Sequence, residues 1–419
     1  MTSFRTTVRG ESSKHYPIIL FPVALRVPIG WLRVKARGYD PCLVYARGRG
    51  RRAALPSWNF PNVKMGDEID IEFETPQRAA QSTSSKKHLF DWNEFVAGDD
   101  TIFATDEPNG MLRLWSKYSA PFDLLRYPPI ARVYRILGFY QAEGSKAESG
   151  GDFSFANTNA ELIFNIVETM KLIGINTAQL YMELLQGADE GPETVWEKYA
   201  KLQLQITAVR PRSGRGGSAC VVHAHNSKPF RGVVCRALAA VTAGAFPTKE
   251  AARAYAFGWL DGDGSITLTN TDTKLRLAGL AEEHEVVKRA LVHIFDWNLD
   301  SVHYKGNKRG SEIGLRAERI IDLLDTDAFP FSMNRVRLLL GCNRRIRNFA
   351  LGGRLGPLAR WSLLDADGYP TETGKRVIAA YTRYKGEIEK AQQLKATAPS
   401  LFGVKGAGLP PQFLLRIQK

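Results

Sequence analysis

The sequence predicts an α+β protein: two tandem α-β-β-α-β-β-α units behind a small β-rich N-terminal domain. Three observations carry this. Ala256-Phe257-Gly258-Trp259-Leu260-Asp261-Gly262-Asp263-Gly264-Ser265-Ile266 reads as an apolar helix that ends in acid, Gly, Ser and a strand. A weaker copy lies upstream, Ile136-Leu137-Gly138-Phe139-Tyr140-Gln141-Ala142-Glu143-Gly144-Ser145-Lys146, with its acid 120 residues before Asp263. That period accommodates one compact unit per copy and sets the architecture. Thirdly, the first 125 residues hold short apolar runs broken by Pro and Gly, which read as strands. The expected divisions are 1–125, a first unit over 126–245, a second over 246–352, and a helical C-terminal extension over 353–419.

In the N-terminal part, Ile18–Leu20, Val23–Leu25, Trp31–Val34 and Leu43–Tyr45 read as strands, and Ile69–Phe73 alternates as a half-buried strand should. Arg33, Lys35, Arg37, Arg47, Arg49, Arg51 and Arg52 make this region basic. The Gly-interleaved run from Arg47 to Arg52 reads as a loop that either lies on phosphates or is simply solvated. Residues 76–90, rich in Gln, Ser and Lys, read as a linker.

In the first unit, Pro128 and Pro129 suit a helix start. Ile130, Val133, Ile136, Leu137 and Tyr140 follow at helical spacing. Gly144 is expected as a left-handed C-terminal cap. Phe153–Phe155 reads as a strand, Ala160–Ile173 as a helix, Gln179–Leu185 as a strand, and Val195, Tyr199 and Leu202 as helical. Cys220–His225 is the last strand and Phe230–Ala240 the closing helix.

The second unit repeats the plan. A helix ends at Gly264, and Ser265–Asn270 with Lys274–Leu280 forms a hairpin. Glu283–Phe295 is helical, Ser301–Lys305 with Glu312–Arg316 forms a second hairpin, and Ala317–Leu324 and Asn334–Leu340 close the unit. Arg335, Arg337, Arg344, Arg345, Arg347 and Arg354 form a dense basic segment expected to touch nucleic acid. Leu363-Leu364-Asp365-Ala366-Asp367-Gly368 imitates the acid motif, but Tyr369-Pro370 follows where a strand should start. Thr371-Glu372-Thr373 caps a last helix through Arg383.

Gly138 and Ala142 are four apart and share one helix face, as do Gly258 and Gly262. Small faces let helices approach closely, so the two helices are expected to pair about a pseudo-two-fold axis. Pairing would bring Glu143 and Asp263 together at one end. Carboxylates at helix C-termini are disfavoured by the dipole and by each other, which calls for a cation. A hard ion such as Mg²⁺, keeping some of its waters, suits two carboxylates and can serve phosphodiester hydrolysis.

The two stretches resemble the paired motifs of the LAGLIDADG homing endonucleases in their single-chain, two-repeat form. The second copy matches through Gly258, Asp261, Asp263 and Gly264. In the first, Gln141 and Glu143 stand where the family often has Asp, and the family accepts either acid at the final position. The resemblance spans roughly Ile130 to Gly353. It implies saddle-shaped antiparallel sheets set in the DNA major groove, and a Mg²⁺-dependent cut of both strands at a long asymmetric site. It makes Glu143 and Asp263 the catalytic, metal-holding pair, with Lys228 as a phosphate-stabilising base and Asn157 as a water-positioning residue. Arg210, Arg212 and Arg215 are expected on phosphates, and Thr267, Thr269, Lys274, Arg276, Lys305, Lys308 and Arg316 on DNA through the second sheet.

A net charge of +14 and a pI near 9.6 point to an anionic polymer as partner. No uninterrupted apolar span reaches membrane-helix length. The four cysteines, Cys42, Cys220, Cys235 and Cys342, form no CxxC pair, so neither a zinc site nor a disulfide framework is indicated. The expectation is a monomer in a reducing, cytoplasmic compartment, acting on double-stranded DNA. A non-cleaving binder on the same fold, an intron-RNA maturase or a DNA-binding regulator, is the alternative.

Overall fold

The computed structural model describes residues 2–403, apart from 12–13, 26, 49, 58, 81–87, 97–100, 117–118, 146–150, 213–216, 270–271, 300–302, 305–309, 351–362, 366 and 368. The protein is mixed α+β with several small sheets. The chain begins with β1 (Thr2–Thr7), β2 (Arg9–Glu11), β3 (Lys14–Leu20), β4 (Gly30–Ala36), β5 (Cys42–Ala46), β6 (Arg52–Ala54) and β7 (Glu68–Glu74). They make two antiparallel sheets, ordered β1-β7-β4-β5 and β2-β3-β6. Ile19, Leu32, Val34, Cys42 and Ile71 are buried between them. The alternation that buries Val34 turns Arg33 and Lys35 outward, and their register partners on β7 are Glu74 and Glu72. Arg5 likewise bonds Asp70 at 2.7 Å. Neighbouring acids therefore offset much of this sheet's basic face. Val23–Leu25 is a turn rather than a strand: the Leu25 amide bonds Pro22 O at 3.0 Å and Val23 is exposed. Arg47 and Arg52 close a tight loop, with Gly48 at φ 63° and Gly50 at φ 74°. The turn itself thus calls for the interleaved glycines. Arg49 lies outside the described residues.

A second β layer follows: β8 (Ile102–Glu107), β9 (Met111–Ser116) and β10 (Ser119–Leu125), an antiparallel meander. The described parts of the expected linker are tied down. Ala79 N bonds Ala104 O at 3.0 Å, and Phe90 N bonds Pro128 O at 2.9 Å. Buried Arg126 gathers Asp91, Asp106 and the carbonyl of Ala80. Phe122 stacks on Phe230 at 5.1 Å, which joins this meander to the core of the following helices.

The first helical unit runs α1 (Ile130–Glu143), β11 (Ser154–Asn157), α2 (Ala160–Leu172), β12 (Leu180–Gln186), α3 (Pro192–Tyr199), β13 (Gln205–Pro211), β14 (Ala219–Ala224) and α4 (Lys228–Ala243). This departs from the expected α-β-β-α-β-β-α order. Its sheet is β11-β14-β12-β13, and β12 and β13 pair in parallel. Asn159 follows β11 closely: its side chain accepts from the amides of Glu161 and Leu162 and starts the helix expected over 160–173, so a single strand precedes it. The crossover through α3 then allows the parallel pair.

The second unit runs α5 (Lys249–Asp263), β15 (Gly264–Leu268), β16 (Thr273–Leu277), α6 (Ala281–Phe295), β17 (His303–Tyr304), β18 (Ser311–Gly314) and α7 (Ala317–Asp325). It has the expected order, with an antiparallel sheet β15-β16-β18-β17. Then come α8 (Met333–Ala350), α9 (Glu372–Arg383), which Thr371 caps by accepting from Gly374 N, and α10 (Lys385–Thr397). The imitation motif forms a turn, with Asp365 Oδ1 accepting from the amides of Asp367 and Tyr369. Gly144 and Gly264 are not left-handed caps; both are extended, at φ −73° and −85°. Glycine is needed there for closeness, since a Cβ would lie 2.3 Å from Tyr140 O and 2.5 Å from Leu260 O respectively.

Candidate active site

The site is built on the α1–α5 pair. A Cβ on Gly138 would lie 2.1 Å from Tyr255 O and 3.0 Å from Trp259 N. A Cβ on Gly258 would lie 2.3 Å from Arg135 O and 2.9 Å from Phe139 N. These contacts are reciprocal in position. Each glycine sits five residues before its own acid, and each meets residues eight and four before the other acid. Gly262 faces Ala142 and Glu143: a Cβ there would lie 2.6 Å from Ala142 Cβ and 2.8 Å from Glu143 Cγ. The small residues thus permit backbone-to-backbone contact, and the contact carries both helix ends to the same place.

The polar contacts across the pair obey the same symmetry with different chemistry. Tyr255 Oη donates to Gln141 Oε1, and Arg135 donates to Asp261. Asp261 is buried, and burial pushes its carboxyl above the usual range against the pull of the Arg135 guanidinium. Asp261 is therefore committed to holding the helices together.

Glu143 and Asp263 line one cavity of about 700 Å³. Asn157 Nδ2 donates to Glu143 Oε1 at 2.8 Å, and Asn157 Oδ1 accepts from Asn159 N at 2.8 Å, so the carboxylate is oriented by the strand end. On the other side Asn334 Nδ2 donates to Gly264 O at 3.1 Å and its Oδ1 accepts from Ile266 N at 2.9 Å. These bonds fix the backbone directly after Asp263. Among the described residues no cluster of three or more His, Cys, Asp or Glu is placed to hold a metal. Of the acids that line the cavity, Asp261 is taken up by Arg135, which leaves Glu143 and Asp263 as the donor pair. That set fits a hard ion that retains water, such as Mg²⁺, better than a metal needing a full protein cage.

The other expected residues divide. Arg212, Thr267 and Arg276 line the cavity. Arg212 also donates to Gly217 O, which closes its own loop. Lys274 and Arg276 point to the open face of the second sheet, with Leu275 and Leu277 buried behind them. Both bond Glu312, at 3.1 and 2.7 Å. Burial raises the Glu312 carboxyl, but these two bonds more than offset it and hold it below the usual range. Thr269 bonds the backbone of Asp272 and serves the hairpin turn. Arg210 is exposed and pairs with Glu183 at 3.3 Å. Arg316 is exposed at the start of α7. Lys228 does not reach the cavity. It is not among the residues that line it, and it starts α4 beyond the end of β14 opposite the cavity-lining Ala219. Arg215, Lys305 and Lys308 lie outside the described residues.

Of the dense basic segment, Arg335 is structural rather than nucleic-acid-facing. It is buried, donates to Leu324 O at 2.9 Å and pairs with Glu387 at 3.3 Å. Sequence reasoning missed Asn159, Asn334, Lys395 and Phe402 as cavity residues. The Asn-Thr-Asn spacing at 157–159 carried a cap signal for Asn159; nothing local marks Lys395, which arrives from α10.

No helix among the described residues is long and apolar enough to cross a membrane. No family model matches the sequence, and no curated protein matches it. Among solved structures the chain is similar to the crystal structure of the N-terminal LAGLIDADG domain of DUF199/WhiA, at 14% identity. The similarity covers 47% of this chain and 82% of that chain, with a TM-score of 0.29, too slight to place the chain in a family.

Proposed function

We propose that the protein is a Mg²⁺-dependent endonuclease that binds a long, asymmetric double-stranded DNA site as a monomer and hydrolyses both strands. The observation that carries this reading is the acid pair. Glu143 and Asp263 terminate two reciprocally packed helices and face one cavity that also holds arginines. The two carboxylates would hold the ion, which when bound supplies an activated water and charge neutralisation at the phosphodiester. Asn157 keeps Glu143 turned toward the cavity. Arg212 and Arg276, at the same cavity, face the incoming phosphates. The two sheets differ in strand order, so each presents a different surface, which accords with unlike half-sites.

The test is cleavage of a plasmid library carrying genomic or randomised inserts, in Mg²⁺. Wild type should give discrete linear products. Glu143→Gln and Asp263→Asn should each lose double-strand cleavage, at least a hundredfold, while duplex affinity stays within a few fold. Salt-sensitive binding with no cleavage by wild type would replace this reading with a non-cleaving binder, of DNA or of intron RNA.

A further inference from the structure

The acid-lined cavity is not walled by the two units alone. Lys395 on α10 and Phe402, in the 3₁₀ turn Pro399–Gly403, both line it, together with Arg337 on α8. Arg337 donates to Phe402 O at 2.9 Å and to Asn334 Oδ1 at 3.3 Å. Asn334 in turn holds Gly264 O, one residue from Asp263. A continuous hydrogen-bonded path thus runs from the C-terminal turn to the backbone beside the acid. Arg337 is half-buried and has no carboxylate partner among the described residues. Burial pushes its guanidinium below the usual range with no anion to offset it. Lys395 is exposed at the cavity and likewise has no ion pair among the described residues. Two uncompensated cations beside two acids leave room for an anion between them.

We infer that Arg337 and Lys395 form a phosphate subsite beside Asp263, and that the C-terminal helices are a functional wall of the cavity rather than an appendage. The ligand is a backbone phosphate of the nucleic acid, so the inference rests on the function proposed above.

The test is binding of a mixed-sequence 40-base-pair duplex by the full chain across 50–300 mM KCl. Each phosphate contact contributes about 0.9 to the slope of log affinity against log salt. Lys395→Gln, at an exposed position, should lower that slope by about 0.9 and cost about fivefold in affinity at 150 mM. Arg337→Gln should do the same, and Arg337→Lys should keep the slope, because charge rather than packing carries the contact. Lys390→Gln, exposed on the same helix but outside the cavity, is the control and should change neither. Intact wild-type binding with Lys395→Gln indistinguishable from Lys390→Gln would overturn the subsite alone. Absence of any salt-dependent duplex binding by wild type would overturn the nucleic-acid reading and the subsite with it.

Discussion

Gly258 has no space for a single methyl group. Its Cβ would overlap the Arg135 carbonyl oxygen, which belongs to backbone and has no rotamer to change. Gly258→Ala is therefore expected to lower stability by about 3 kcal/mol, at the upper end of ordinary overpacking. Urea unfolding should show a lower midpoint at unchanged m-value. Gly138→Ala should behave alike, because Tyr255 O is equally close. This part of the site was legible in the sequence, since a four-residue spacing of small residues fixes one helix face whatever surrounds it. The Arg135–Asp261 pair was not, because it depends on how far each helix is rotated about its axis. Lys395 was not either, because more than 130 residues separate it from Asp263 and only tertiary packing brings them to one cavity.

Within the second sheet, His284 on α6 ties two elements together. Its Nε2 lies 3.1 Å from Ala278 O, so that nitrogen donates, and Nδ1 is left to accept from Ser311 Oγ at 3.0 Å. This is the neutral ring. Burial, the largest influence, holds its pKa below the ordinary histidine value. In the unfolded chain the same ring titrates near about 6.5. The stability it contributes is whole above that pH and is lost as pH falls toward the lower folded value. Wild-type Tm should therefore drop between pH 7.5 and 5.5, and His284→Gln should flatten that slope. Strand prediction succeeded at this scale where one face is buried, as in β4 and β7, and where nearly the whole strand is, as in β5. It failed for β13, an edge strand whose residues alternate between half-buried and exposed, and for the β8–β10 meander, whose inward residues face helices of another unit. At Val23–Leu25 the flanking prolines turned an apolar run into a turn.

Across the whole molecule, the segment between the N-terminal sheets and α1 is tied down by backbone bonds and by one buried guanidinium. Arg126 is 3% exposed and Asp91 is 9% exposed, and the pair also reaches Asp106 and Ala80 O. Arg126→Met would leave the Asp91 carboxylate buried without its cation, a loss of about 3–5 kcal/mol. Limited proteolysis should then cut within 81–100 well before wild type does. The basic composition pointed to a polyanion but not to where the charge acts. Much of the N-terminal sheet's positive charge faces its own acids, whereas Arg337 and Lys395, with no ion pair among the described residues, line the cavity that holds the acid pair.

The cross-helix contacts also determine which partner each helix accepts. Tyr255 answers Gln141, and Arg135 answers Asp261. If two copies of α5 met each other, each Asp261 would face a tyrosine in place of its arginine and stay buried as an unshared charge. If two copies of α1 met, each Arg135 would face a glutamine. Only the unlike pair gives the buried Asp261 its cation and Arg135 its anion. The two helices are thus complementary, non-exchangeable parts of one contact.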